Sequence, residues 1–501
     1  MNKTAVTSRW KIMQNLPKSS DSDELQLTNK IINVVKDKGF KMDHITKYLV
    51  YNRIPKSNDI VDYEAIKAEK RENQEKGNNC IDKRLLLLSP DLGRKDEERV
   101  LYPRNKLSPG TKPCVVGGKP ITEELAVELR VITFGTASCP PRVEWIRSPI
   151  VMRAPNQSLG YGLVAPRNGT RSLLAGLQAH IIKWLLFDSR PLTKDNKSAE
   201  PPETYLRPSE ERQEEALWRA CSEVIWRCAG GMNVTQGVEP KAMIALPSEM
   251  TYVQHSSYYY QDGVTEKLHV FEFNNLEDVQ IFVKRYLYLF KTDEGCGALL
   301  LLYAAVLSRG CASIKKDLDG KLTYLVSSHV EGSLNVVTLL LTGRATPYLH
   351  NGVVYIGDED HYAMPQFGVL SRSPVGLLVF YGNEDNAKNN ANQQHPGSRL
   401  KTPAMPIWVT SCSGHYGVLF NTNRELLRNY HAERRFDVHY YTCGGCHVLL
   451  NVDTRTHDDM AGPMRNDDIS ATPLEKLIHT KWQDAKITWT GPGPHISESP
   501  N

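Results

Sequence analysis

From Pro120 onward the sequence predicts an α+β domain, on three observations. Several stretches carry apolar residues at helical spacing, seven short runs are β-branched or aromatic, and most of the helical stretches precede most of the strand-like ones. That segregation fits helices packed on a sheet better than a doubly wound βαβ sheet. The preceding residues, 1 to about 120, are rich in Lys, Asp, Glu, Asn and Ser and include the polar run Lys67 to Asn79. With few aromatics to anchor a core, they are expected to be a largely polar, flexible extension. Within it, Leu27, Ile31, Ile32 and Val35, then Ile45, Tyr48 and Leu49, recur at helical spacing and predict one or two short amphipathic helices.

In chain order, Glu123 to Arg130 suits a helix, and Leu173, Leu174, Leu177, Ile181, Ile182 and Leu185 mark one apolar face from Ser172 to about Phe187. Glu210 to Trp226 and Leu276 to Phe290 read as two further helices, and Ala298 to Ser308 as a buried one. Strands are expected at Leu268–Phe273, Leu322–Ser327, Val353–Ile356, Ile407–Thr410, Gly417–Phe420, Asp437–Tyr441 and Val448–Val452. Polar loops at Gly382–Lys401 and Thr456–Thr472 have the length of surface insertions. Residues 492–501 are expected to be a flexible tail.

Composition narrows the class. The chain has 501 residues, 40% hydrophobic and 24% charged, which is ordinary globular usage. Its net charge of +4 is spread among interleaved acids, so it offers no basic stripe and no nucleic-acid partner is expected. The start, Met1 to Gln14, lacks the apolar core of a secretory signal. The most apolar run, Ala298 to Leu307, is far short of the roughly 20 residues that span a bilayer, so no membrane association is expected. Ten cysteines without regular spacing read as reduced thiols of an intracellular protein, cytoplasmic or nuclear. The Asn-x-Ser/Thr triplets at Asn2, Asn156, Asn168, Asn196 and Asn233 are then incidental. No cofactor and no metal is expected.

Two segments bear on chemistry. Tyr161 to Ala175 leads into the strongest helix, and Pro406 to Phe420 spans two strands with His415 between them. Together they resemble the halves of a papain-like cysteine-protease-type site, in which the dipole of a helix N-terminus stabilises a thiolate and a strand-borne His acts as general base.

With the blocks Phe134-Gly135, Glu144-Trp145, Leu339 to Ala345, Pro406 to Phe420 and Thr480-Lys481-Trp482 in the same order, the chain from about Leu129 to Gly491 resembles the MINDY family of ubiquitin carboxyl-terminal hydrolases. Within it the resemblance is to the branch of the fourth member, and there to a paralogue without activity. The family places its nucleophile in a Gln-x-Lys-Gly-Gly-Pro-Cys-Gly pattern opening a helix. Carried over residue by residue, the oxyanion Gln falls on Ala165, the glycines on Asn168 and Gly169, the Pro on Thr170 and the nucleophilic Cys on Arg171; the His is kept as His415. The resemblance thus implies residues 121–491 as a catalytic-type domain with a degenerate site, and polyubiquitin of the proteasome-targeting lysine linkage as ligand.

The replacements oppose acyl transfer. A guanidinium stays protonated and offers no lone pair for attack. Loss of an oxyanion donor removes roughly 3 to 4 kcal/mol of transition-state stabilisation. A cation at a helix N-terminus costs about 0.3 to 1 kcal/mol, so Arg171 is expected to pair with an acid or a partner. Ser172 is expected to cap the helix, and His415 to be satisfied by hydrogen bonds at a strand end. Cys443-Gly-Gly-Cys446-His447 reads as a hairpin turn with reduced thiols, Cys296 as part of a structural helix, and Cys412 as a core residue. Tyr258 to Tyr260 with His255 form an aromatic cluster that reads either as a protein contact or, more often for such clusters, as half-buried strand surface, and the sequence does not separate the two. The expected function is an inactive ubiquitin-binding pseudoenzyme; the alternatives are a scaffold that no longer binds ubiquitin and a residual hydrolase with an unorthodox nucleophile. Oligomeric state is not set by the sequence.

Overall fold

The computed structural model describes residues 114–490 except 166–167, 190–200, 233–238, 327–330, 358–363, 383–394 and 456–470. The amphipathic helices expected around Leu27 to Leu49, the tail 492–501 and most of the two long loops lie outside the described residues.

Each helix follows from local chemistry. After the short strand β1 (Lys119–Pro120), Thr122 accepts the Leu125 N–H at 3.3 Å and opens α1 (Glu123–Phe134) behind two glutamates. Gly135, at φ 87°, closes it with its N–H on the Val131 carbonyl. A two-stranded ribbon, β2 (Val151–Met152) with β3 (Leu163–Val164), leads to α2 (Arg171–Lys183), which runs on as a π-helical turn, Trp184–Asp188. Ser209 caps α3 (Glu210–Cys228). The three-stranded sheet of β1, β4 (Ala242–Pro247) and β5 (Leu268–Phe273) has the order β1-β5-β4, so the expected extension to about residue 120 overlaps a strand of the fold.

The helix expected over Leu276 to Phe290 is two helices. Asn275 caps α4 (Leu276–Arg285), Tyr286 leaves helical geometry at φ −107° and ψ 17°, and a second turn follows at Leu287–Lys291. The break sets the Tyr286 ring 4.8 Å from Phe282 and its hydroxyl on the Cys114 carbonyl. The buried helix α5 (Gly297–Arg309) forms as expected and is apolar on all sides; α6 (Cys311–Leu318) and α7 (Leu334–Thr342) follow.

Instead of a strand, Thr323 to Val326 form bends, and Ser327, the end of the expected strand, lies outside the described residues. The Leu325 and Val326 N–H groups go to the carbonyls of Ile132 and Thr133, which the last turn of α1 leaves without helical donors. The four strands β6 (Val353–Ile356), β7 (Met364–Phe367), β8 (Gly376–Phe380) and β9 (Ile407–Cys412) come next, β6 pairing only with β7. With β10 (His415–Phe420), β11 (Arg435–Tyr441), β12 (His447–Asp453) and β13 (Lys486–Thr490), the main sheet has the order β13-β12-β11-β10-β9-β8, antiparallel except for the parallel pair β8-β9.

Helix α2 lies against β9 and β10 and under α3 and α7, which explains why Ser172 to Lys183 are all buried. Gly176 permits the approach of α7: a Cβ there would sit 2.9 Å from Leu340 Cδ2. Helix α8 (Pro473–His479), opened by the reciprocal Thr472/Glu475 capping box, covers β8 and β9, and Trp408, Phe436, Leu477, Ile478 and Trp482 share one apolar cluster. Among the described residues no single helix is long and apolar enough to cross a membrane.

Burial holds two imidazoles neutral. His180 in α2 donates from Nδ1 to the Gly176 carbonyl at 2.9 Å, and burial pushes its pKa from 6.5 down to about 4; burial and the neighbouring His447 push His439 to about 4 as well. A histidine whose folded pKa is depressed contributes stability above its unfolded value and loses it as the unfolded chain takes up the proton. Unfolding by urea is therefore expected to become easier between pH about 6.5 and about 4, by about 2 kcal/mol per histidine near pH 5. His180→Gln and His439→Phe should each flatten that acid limb.

Candidate functional site

The turn Asn168–Thr170 delivers the chain to α2, whose first residue is Arg171. Gly169 faces Glu144: a Cβ there would lie 2.7 Å from the carboxylate. The Thr170 and Ser148 hydroxyls are 3.2 Å apart, and Trp145 stacks edge-on to Phe134 at 5.9 Å. Two blocks distant in sequence thus buttress the start of α2.

Arg171 is paired with an acid, as expected of a cation at a helix N-terminus. Its Nη1 lies 2.5 Å from Oε1 of Glu331, whose side chain is 5% exposed against 25% for Arg171. His415, the first residue of β10, places Nδ1 3.1 Å from the same Oε1, while the Tyr416 N–H donates to Oε2 at 3.0 Å. One buried carboxylate therefore joins the residue at the helix start to the histidine on the strand. It is almost fully satisfied: a guanidinium, an imidazole and a backbone amide each reach it. The His415 side chain is 73% exposed, so its outer edge is open to solvent. The two-residue turn that sets it there, Ser413-Gly414, has φ 50° and 87°, the left-handed pair of a tight hairpin.

Glu331 was not singled out by sequence; the signal was a lone acid before a Gly-Ser pair that opens an apolar helix. The structure also revises Ser172. It is fully buried and does not cap α2; its Oγ accepts the Ser333 N–H at 3.1 Å and its own N–H donates to the Glu331 carbonyl at 3.0 Å. Both bonds clamp the Glu331–Ser333 turn onto the helix. Gly332, at φ 108°, is required there, since a Cβ would fall 2.1 Å from Ser172 Oγ.

The opposite wall is the turn between β11 and β12. Thr442 N–H donates to the Cys446 carbonyl and Gly445 N–H to the Thr442 carbonyl, both at 2.9 Å, the expected hairpin. The Cys443 carbonyl accepts the Ala165 N–H at 2.9 Å, and a Cβ on Gly444 would be 3.0 Å from Arg171 Nη2. Ala165 is buried, and the backbone donor it carries is already used. Below, Tyr441 Oη donates to the Leu163 carbonyl at 2.7 Å, fixing β3 to the sheet.

No thiol in this region is activated. Burial pushes Cys443 up to about 12, and Cys296 and Cys412 up to about 11; Cys412 points its Sγ at the Pro473 carbonyl. Cys296 stands immediately before α5. Among the described residues no three His, Cys, Asp or Glu side chains converge as a metal site. The Tyr258–Tyr260 cluster is a loop and not a strand: Tyr258 is 78% exposed, Tyr259 is buried with its hydroxyl on Glu266, and the Tyr260 ring meets His255 edge-on.

Comparison with known proteins bears on this geometry. Residues 130–491 match the model of the conserved domain of deubiquitinating enzyme MINDY-3/4. The chain is 29% identical over 401 residues to the mouse protein described as probable ubiquitin carboxyl-terminal hydrolase MINDY-4, covering 79% of this chain and 50% of the relative. Against the Xenopus tropicalis protein of the same description, identity is 31% over 382 residues, 76% of this chain and 47% of the relative. The human ubiquitin carboxyl-terminal hydrolase MINDY-3 is 24% identical over 326 residues, 61% of this chain and 67% of that protein. The chain spans about half the length of the MINDY-4 relatives it matches. No solved structure matches it.

Proposed function

The chain belongs to the MINDY-3/4 family of deubiquitinating enzymes, and on that premise we propose that it is a pseudoenzyme that binds ubiquitin inside the cell without hydrolysing isopeptide bonds. The observation that carries this reading is the pairing of Arg171 with Glu331 on the carboxylate oxygen that also meets His415. We read α2 and β10 as the two sides of a papain-like cleft, with the position matched to the nucleophile occupied by a guanidinium. A group that is cationic, ion-paired and without a lone pair performs no attack. The position matched to the oxyanion donor carries only a methyl group, Ala165. His415 keeps the geometry of an oriented base, Nδ1 on a carboxylate and the other nitrogen outward, with nothing to deprotonate. The relatives' descriptions support ubiquitin as ligand, and the resemblance extends this to polyubiquitin of the proteasome-targeting linkage.

A second reading, a scaffold that no longer admits ubiquitin, is supported by the Arg171 guanidinium lying so near Gly444 that a Cβ there would be 3.0 Å away, and by the Ala165–Cys443 hydrogen bond, which together leave little room between the start of α2 and the β11–β12 turn. Residual hydrolysis has less support, because the nearby thiols have pKa values near 11 or above. Incubation of the full chain with ubiquitin carrying a carboxyl-terminal electrophile tests the loss of chemistry. Intact mass should show no adduct while an active relative labels fully; an adduct on Ser172, Cys296 or Cys412 would overturn it.

A further inference from the structure

The β6-β7 hairpin stands outside both larger sheets and exposes apolar side chains along its length: Val353 37%, Val354 40%, Tyr355 68%, Ile356 54%, Met364 68% and Phe367 43%. Its backbone tells which edge is open. Gly368 N–H donates to the Gly352 carbonyl at 2.9 Å, and the register runs Val353↔Phe367, Val354↔Gln366, Tyr355↔Pro365, Ile356↔Met364. In an antiparallel ladder, paired bonds recur at every second residue, so Gly352, Val354 and Ile356 turn their amides inward, and Pro365, with no N–H, falls at an outward position opposite Tyr355. The amides and carbonyls of Val353 and Tyr355 therefore face the outer edge of β6, where no described residue bonds them. The β7 edge is different: Pro365 lacks a donor, and the Phe367 carbonyl accepts the Thr346 hydroxyl at 2.7 Å.

We propose that β6 is a homodimer interface, in which a second copy of this chain lays its own β6 antiparallel along this edge. The two outward residues match themselves. With Val353 opposite Tyr355 of the second copy, and the reverse, four ladder hydrogen bonds form around a two-fold axis at Val354, an isologous contact. Neither strand carries a charge that would select a different partner, and β6 has neither Lys nor Pro; its four residues keep the open edge short. A free two-stranded hairpin is marginal in water, whereas the paired arms make a four-stranded sheet. The contact covers the β6 edge with Val353, Val354 and Tyr355 and not the β7 side chains, less than the ~800 Å² each partner gives to a standard interface, so the association is a weak one.

Because the axis passes through Val354, that side chain meets its own copy, with Cβ atoms about 5 Å apart. Sedimentation velocity of the full chain reads the outcome. Wild type should be dimeric at about 100 µM and dissociate on dilution to about 1 µM. Val354→Lys and Val354→Glu, at a half-exposed site that the fold tolerates, should each weaken the dimer at least about 10-fold by like-charge contact. An equal mixture of the two variants should restore the dimer. A wild-type monomer throughout, variants that remain dimeric, or a mixture that stays monomeric would each overturn the proposal. Loss of ubiquitin binding in Val354→Lys with a monomeric wild type would assign the strip to that partner instead.

Discussion

The variant Arg171→Cys with Ala165→Gln is expected to react with a carboxyl-terminal ubiquitin electrophile, where the wild-type chain does not react at all. The substitution puts a thiol on the first residue of α2, where the helix dipole favours the thiolate. It also frees Glu331 from its guanidinium while leaving His415 Nδ1 on the same carboxylate oxygen at 3.1 Å. That bond holds the imidazole on the carboxylate that Arg171 also meets, which keeps a candidate base beside the new thiol. Ala165→Gln returns a side-chain donor, worth about 10²- to 10³-fold in rate, so Arg171→Cys alone should label far more slowly than the pair. The readout is the rate of adduct formation by intact mass, with His415→Ala in the same background as the control that abolishes it. A folded double variant that never labels would mean that the cleft is blocked for reasons beyond these two side chains.

Glu331→Ala is expected to cost about 3 kcal/mol, the lower end for breaking a buried ion pair, because Arg171 remains a quarter exposed and keeps some water. The loss has three parts: a guanidinium without its partner, a Tyr416 N–H without its acceptor, and, least costly because it is solvent-exposed, His415 without its carboxylate. Glu331→Gln keeps an acceptor for that amide and should cost less. In Arg171→Met with Glu331→Gln neither charge is left, so most of the loss should disappear. Urea denaturation of wild type, Arg171→Met, Glu331→Gln and the double variant closes the cycle and gives the coupling energy directly. Additive losses would mean that the two side chains do not act as a pair.

How far the sequence carried depended on the range of the interaction. Apolar spacing located α2 and α3, whose buried faces repeat at helical period, and α5 was legible from its long continuous apolar run. It did not foresee the break at Tyr286, which is set by an aromatic contact and by a carbonyl 172 residues away. The run Leu322–Val326 has strand composition, yet the free carbonyls of α1 took its amides. At the site, the anomalous cation Arg171 required an acid, and the structure supplies one. Its identity was hidden because Glu331 is 160 residues distant and nothing local marks it. Likewise Ser172 looked like a cap from its position, whereas its hydroxyl serves Ser333, 161 residues on. The strands β4 and β8 went unread because their short apolar runs carry no alternation that separates them from buried helix; β13, which alternates over Lys486–Thr490, also went unread.

The central claim, a ubiquitin reader on a scaffold without a nucleophile, is tested most directly by titrating the purified full chain against mono-ubiquitin and polyubiquitin of defined linkage, with cleavage read in the same samples beside an active relative. The account predicts binding at micromolar strength, stronger for chains than for the monomer, with the chains intact at the end. Cleavage would contradict the assignment of Arg171 to the nucleophile position, and absence of binding to any form would contradict the retention of ubiquitin.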